Sequence, residues 1–553
     1  HIPHAALAQA EAGRRLVVLT EGGDQQPVLA DATADPVMSG AATVLSSGDG
    51  FLRSLPAVGV LIVEEVRLEA HLARVSGRVM GLRPASLRLV GPRGSSPTAA
   101  VQGGGDRWSA VLPLTAPSSV GPEELPVPRD VYDLETGDGH LVVAGIDPDP
   151  APDADRPWQV RVDEGRRLRL ERGRGADVDD YTRHGQRRLQ TGAYEVARHG
   201  GRRPWVLLDS FVGRGGWHAC AAVAQALGRA RPDLELVWST RDESLPVPPG
   251  VTPSLRLSED WYRRLGGAAH VVANGTLPRW FEKAPGQRVV QLWTGTPVLR
   301  FGHALLEAEG RESDVRALDA DVAQWDVLCT GGPEATAWLR EATGWAGPVH
   351  EVGHPALDTW AREDRAERRA EARRRLGLGD EPVLLYAPTT RRAVRAHTRR
   401  EKIALLDPPA LVSAMPGLTV LMRGHPNTAN QQVLDAGPGV VDVTHHPELA
   451  DLLAAADAVV TDYSTLLVDV LASATPVALL VPDREDFEDL GFFPDLFTEP
   501  PGPVVTSTEE LVPWLTGGLE TRYPGREKLR ERLLPLDDGH AAERIVEAEF
   551  GGR

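Results

Sequence analysis

The sequence predicts an α/β protein of two doubly wound lobes, preceded by an all-β amino-terminal region. Three observations carry this. Short alternating apolar runs separated by turn residues fill the chain up to about residue 175. From about residue 204, buried-strand candidates alternate with helical runs, and a second such series follows an Arg-rich helix. Finally, 553 residues exceed what one core holds, since single cores stop growing at roughly 250–300 residues.

In the first region the alternating runs are Arg15–Thr20, Leu61–Leu68, Leu87–Val90, Trp108–Leu112, Leu141–Val143 and Trp158–Val162. They suit a β-sandwich or a pair of small β-modules over residues 1–175. The acidic stretch Asp147–Asp155 resembles a metal loop only at a glance, because its alternating prolines favour an extended surface loop. Residues 176–203 read as a linker.

The first βα series uses Trp205–Leu208, the helical run Ala219–Ala230, Leu234–Ser239, His270–Ala273, Val289–Trp293, Asp326–Cys329 and Val349–Val352. The stretch Trp360–Leu376 reads as a helix spanning the join. The second series uses Val383–Tyr386, Thr419–Arg423, Val440–Val443, Ala458–Thr461 and Pro476–Val481. Two Rossmann-like lobes, 204–376 and 377–553, would face each other across a cleft, the second ending in a terminal helix.

Composition narrows the function. An apolar fraction of 42% and a charged fraction of 25% are those of a globular protein. A formal charge of −18 argues against binding nucleic acid, or an anionic membrane, by bulk electrostatics. Any membrane-surface contact would need a local basic patch. The cluster Arg368–Arg375 is interleaved with Glu371 and reads as a solvated helix face. Cys220 and Cys329 form neither a metal pattern nor a disulfide framework, which suits a reduced, cytosolic setting. No apolar run approaches the ~20 residues of a membrane span. The chain opens on His1, as expected of a piece of a longer protein.

Several segments carry chemistry. Ala454–Asp469 reads as a buried strand, a hydroxyl-rich turn and the first turn of a helix, with Ser464 or Thr465 as cap. Such a strand end can hold a phosphate, and Asp462 and Asp469 fall within it. In Gln291–Pro297, Gly295 lets backbone approach a ligand and Pro297 suits a helix start, although a plain strand–turn–helix junction reads the same way. In Leu421–Pro426, Arg423 can hold a phosphate and His425 can move a proton. His350–His354 matches a zinc-protease spacing, but Gly353 and Pro355 break the helix that chemistry needs. The adjacent His445 and His446 would point to opposite faces of a strand. Asp451 can bind ribose hydroxyls or simply favour a helix start.

Taken in order, these segments resemble the CDP-glycerol glycerophosphotransferases of teichoic-acid and capsule synthesis. The matching pieces are Asp209–Gly213, Val272–Phe281, Gln291–Pro297, Gly353–Asp358, Leu385–Thr389, Arg423–Pro426, Ala456–Asp469, Gly491–Phe493 and Asp537–Arg544. The first 175 residues carry no part of the resemblance. It implies a GT-B fold with a CDP-polyol donor, CDP-glycerol or CDP-ribitol, bound between the lobes. Polyol phosphate would pass to a hydroxyl of a lipid-linked or growing polymer, releasing CMP, with no cofactor and no metal required. The working site would lie in the cytoplasm or at the inner face of the plasma membrane. His425 matches the family's catalytic or phosphate-contacting histidine, Asp451 its ribose-binding acid, and Ser464 and Thr465 its phosphate turn. Gly295 and Thr296 match its strand-end loop. Thr389, Arg423, Asp462 and Asp469 complete the expected donor side, and Gly213 and His218 the acceptor side.

One departure stands out. The family usually reads Trp–His–Gly–Thr, and that histidine is its favoured general base; here the position is Thr294. A threonine hydroxyl cannot deprotonate an alcohol near neutral pH. Engineered inactivation, relocation of the base and loss of activity all fit. His303 and His218 are the candidate replacements. Two other functions stay open: a nucleotide-sugar glycosyltransferase of the same fold, and a non-catalytic polymer-binding protein. The β-region can bind polymer, position the enzyme or pair with another chain.

Overall fold

A computed structural model describes residues 17–19, 25–27, 37–39, 42–46, 52–56, 59–118, 123–137, 139–149, 157–163, 166–173, 182–214, 216–362, 365–389, 391–392, 400–401, 405–424, 438–444, 446–485 and 491–551. The chain divides into two compact units, His1–Val178 and Asp179–Arg553.

Among its described residues the first unit contains only strands. One sheet runs Arg107–Pro113, Leu72–Gly81, Gly59–Leu68, Leu141–Ala144; a second is built around Ser86–Gly91, Val131–Thr136, Leu168–Arg172 and Trp158–Val162. Burial alternates along Arg107–Pro113, turning Trp108, Ala110 and Leu112 inward. They meet Leu89, Tyr132 and Trp158 of the other sheet in one apolar cluster. The Trp108 indole N–H donates to Arg78 O at 2.9 Å, so its burial leaves no polar group unpaired.

The second unit holds two wholly parallel sheets. The first runs Thr252–Leu255, Glu235–Thr240, Arg203–Asp209, Ala268–Ala273, Arg288–Gln291, Val327–Thr330, Val349–Glu351. The second runs Val440–Asp442, Thr419–Met422, Val383–Tyr386, Ala458–Thr461, Val477–Leu480, Val504–Val505. Val206–Leu208 and Val459–Val460 are fully buried, as strands covered on both faces must be. In each lobe the strand order is 3-2-1-4-5-6, with one further strand on the first, so the order reverses beside the lobe's first strand.

Three expectations need correcting. The segment expected to be a linker is helical from Arg183 to His199, through one wide turn at Gln190–Tyr194. Leu189 and Tyr194 are buried with Leu265 and Phe281, so it belongs to the first lobe's core. The terminal helix, Ala541–Phe550, follows the second lobe in sequence but packs on the first. Its Glu549 receives Arg288 and, at 2.8 Å, His350, and its Phe550 ring lies 4.5 Å from that of His270. The Arg-rich helix Arg365–Arg375 is no plain solvated face. Arg373 is buried and donates to the carbonyls of Ala455, Gly379 and Glu381, while Arg369 pairs with Asp457 at 2.6 Å.

Candidate functional site

In the first lobe the order reverses between Arg203–Asp209 and Ala268–Ala273, which opens a crevice beyond their carboxyl ends. Asn274 closes its floor: its Oδ1 accepts the Phe211 N–H at 2.7 Å and its Nδ2 donates to Ser210 Oγ at 3.3 Å. Beneath, Asp209 and Arg256 form a buried ion pair, and the guanidinium lies 4.6 Å from the Trp261 ring centre. Phe211, Val212 and Gly213 take φ of 46°, 59° and 74°, a region that costs a β-branched residue most. A Cβ on Gly213 would lie 2.5 Å from Arg256 Cδ, so glycine is required twice over.

Beyond Arg288–Gln291 the chain turns sharply. Trp293 has φ 53°, held by its N–H to Gln291 Oε1 at 2.9 Å and by stacking on Phe301 at 5.2 Å. Thr294 is half-buried, and its hydroxyl makes no hydrogen bond among the described residues. Gly295 has φ 105°. Thr296 Oγ1 lies 2.7 Å from His354 Nε2, and His354 Nδ1 lies 3.0 Å from Asp537 Oδ2. His350, on the strand Val349–Glu351, instead turns to Glu549, so the two histidines of the zinc-like spacing serve different partners. Asp358, in turn, caps the terminal helix by accepting the N–H groups of Ala541 and Ala542 at 2.9 and 2.8 Å.

In the second lobe the order reverses between Val383–Tyr386 and Ala458–Thr461. Asp462 braces the loops that follow these strands. Its carboxylate accepts the Thr389 N–H at 2.9 Å and the Ser464 N–H at 3.1 Å. Ser464 Oγ accepts the Leu466 N–H at 3.3 Å, and Thr465 is the cap of Leu466–Ala472 without a side-chain bond. Arg423 leaves the neighbouring strand Thr419–Met422 and donates to His446 O at 3.2 Å. Burial pushes its pKa down to about 10, while Asp469 pulls the other way. His446 is pushed down to about 4 by burial and then by Arg423. Asp451 is paired with two cations: Arg368 and Arg375 approach its oxygens to 3.5 and 3.2 Å. Burial still raises its pKa against those two cations.

The lobes meet at these crevices. The Trp217 N–H donates to Pro447 O at 3.1 Å, and the Phe493 N–H to Val298 O at 2.9 Å. At the start of the helix His218–Ala230, His218 Nε2 lies 3.7 Å from Asp469 Oδ1 of the second lobe. His218 shares a cavity with Gly295, Thr296, Gly331 and His354. His303 does not line it; its Nε2 is bound to Asp319 Oδ1 at 2.7 Å, on the helix Glu312–Val322.

The structure therefore gathers His218, Gly295 and Thr296 on the first lobe. On the second it gathers Thr389, Asp462, Ser464 and Thr465, with Arg423 and Asp469 within electrostatic reach of each other. Gly213 ends the first crevice's loop. His425 lies outside the described residues. Sequence reasoning missed the roles of Asn274, His354 and Asp537, although all three sit in segments quoted for the resemblance. Their partners lie 63 and 183 residues away, beyond any local pattern.

Two doubly wound lobes with their switch-point loops turned toward each other define a GT-B-like α/β protein. Residues 194–550 match the family described as CDP-Glycerol:Poly(glycerophosphate) glycerophosphotransferase. The chain belongs to that family of transferases. It is 25% identical over 334 residues to the teichoic acid poly(glycerol phosphate) polymerase of Bacillus spizizenii, covering 58% of this chain and 84% of the relative. It is 26% identical over 368 residues to the polymerase of that description in Bacillus subtilis, covering 63% of this chain but only 49% of the relative. The structure of the wall teichoic acid polymerase TagF superposes with a TM-score of 0.57 at 22% identity, over 66% of this chain and 92% of that one, and shows the shared fold.

Proposed function

We propose that this chain transfers glycerol phosphate from CDP-glycerol to a hydroxyl of a growing teichoic-acid-like or capsular polymer, releasing CMP. The observation that carries it is the approach of His218 to Asp469 across the cleft, 3.7 Å apart, beside both switch-point crevices. The donor's diphosphate would sit against the loops of Thr389 and Ser464, with Arg423 as the cation that answers developing charge on phosphorus. The polymer end would enter from the first lobe. CDP-ribitol is the alternative donor, and the scheme itself calls for no cofactor.

No helix among the described residues is long and apolar enough to cross a membrane. A lipid-linked acceptor would bring the enzyme to the inner face of the plasma membrane through its surface alone. The first unit, which we read as a β-sandwich, would bind polymer or pair two copies.

The test is to incubate the purified chain with CDP-glycerol and a glycerol-phosphate-primed acceptor, then measure CMP and polymer length. Release of a nucleoside diphosphate from a nucleotide sugar instead would favour glycosyl transfer. Thr294 favours one further reading, a non-catalytic polymer-binding protein, for which CDP-glycerol would bind tightly without turnover.

A further inference from the structure

Thr294 leaves the acceptor hydroxyl without an evident proton acceptor on its loop. A general base must offer a ring nitrogen that is not already spent. His354 spends Nε2 on Thr296 and Nδ1 on Asp537, at 2.7 and 3.0 Å, and a Cβ on Gly331 would lie 2.0 Å from its ring. It is a clamped structural imidazole. His303 binds Asp319 through Nε2 alone but does not line the cavity, which removes it from the acceptor's reach.

His218 differs on every count. Its Nδ1 is buried without a hydrogen-bond partner, and its Nε2 faces Asp469 at 3.7 Å, beyond hydrogen-bond length. Neither nitrogen is hydrogen-bonded among the described residues, although the side chain is only 14% exposed. Buried polar groups are rarely left so, and one in the wall of a cleft calls for an explanation. The backbone agrees: His218 has φ 42°, in the same stretch as the strained Phe211 and Val212, and the Phe211 ring packs edge-on against the imidazole at 5.5 Å.

Resting on the function proposed above, we propose that His218 is the relocated general base, with Asp469 of the opposite lobe as the carboxylate that answers its charge once it is protonated. The acceptor O–H bond breaks and its proton goes to His218 Nε2. The acceptor oxygen forms its bond to the phosphorus bearing the polyol. The bond from that phosphorus to the CMP oxygen breaks, and CMP leaves with the electron pair. Asp469 stabilises the imidazolium, so the base is complete only when the two lobes are together. Thr294 is tolerated because the proton no longer travels through that loop.

The experiment measures CMP release, and CDP-glycerol affinity by calorimetry, for the full chain and its variants. His218→Ala should lower kcat about 100-fold or more with donor affinity unchanged. Adding Thr294→His to His218→Ala should recover at least tenfold, which no loss of structure would allow. Asp469→Asn should lower kcat when His218 is present and have little further effect in the rescued double variant. CMP release by wild type and His218→Ala alike would overturn the inference and leave the proposed function standing. No CMP from wild type would remove both. Loss of donor affinity in His218→Ala, without rescue by Thr294→His, would assign His218 a structural role and overturn the proposal.

Discussion

Asp537 holds His354 from two sides: one carboxylate oxygen accepts the His354 backbone N–H at 2.8 Å, and the other meets the ring Nδ1 at 3.0 Å. This contact joins the end of the second lobe to the cavity wall of the first. Asp537→Ala leaves a buried N–H and a ring nitrogen unpaired. It should cost about 2–3 kcal/mol, read as a fall in Tm of several degrees. Thr296 then loses its fixed imidazole, so kcat should fall together with stability.

Asp462 braces two loops of the second lobe. Because it ties the Thr389 loop to the Ser464 turn, Asp462→Ala should loosen the second lobe's crevice, where the proposed donor would sit. A misplaced loop costs up to about 100-fold. Steady-state kinetics should show most of the loss as a raised KM for CDP-glycerol. An unchanged KM would argue against that crevice as the donor site.

Arg423 stays charged at neutral pH, since burial lowers its pKa only to about 10. Arg423→Met should weaken CDP-glycerol binding by about 10–100-fold, the worth of a charge-assisted hydrogen bond of about 1.5–3 kcal/mol. Calorimetry should also show a weaker salt dependence for the variant.

Two buried groups make opposite contributions to stability against pH. Burial pushes Asp321 up to about 6, above the ordinary 3.8. The native state therefore keeps a proton that the unfolded chain has released, so this contribution is full below about pH 4 and is lost as pH rises through 6. His446 is pushed down to about 4 from 6.5, so its contribution is full above pH 6.5 and is lost as pH falls through 4. Each is worth about 3 kcal/mol. Urea unfolding between pH 4 and 7 should show Asp321→Asn losing less stability on the alkaline side and His446→Gln losing less on the acid side.

The sequence by itself determined the two βα series. A strand covered on both faces must be a continuous apolar run, as Val206–Leu208 and Val459–Val460 are, and one covered on a single face must alternate, as Arg107–Pro113 does. It also marked the segments that line the crevices, because their glycines and hydroxyls lie just past such strands. Only the tertiary structure decided which of those groups are spent. Asp451 is paired with Arg368 and Arg375, both ring nitrogens of His354 are held by Asp537 and Thr296, and His303 Nε2 is held by Asp319, while among the described residues neither ring nitrogen of His218 is hydrogen-bonded. Periodicity is a local property of the chain, whereas a side chain's hydrogen-bond partner can lie hundreds of positions away, as Asp537 lies 183 from His354 and Glu549 lies 261 from Arg288.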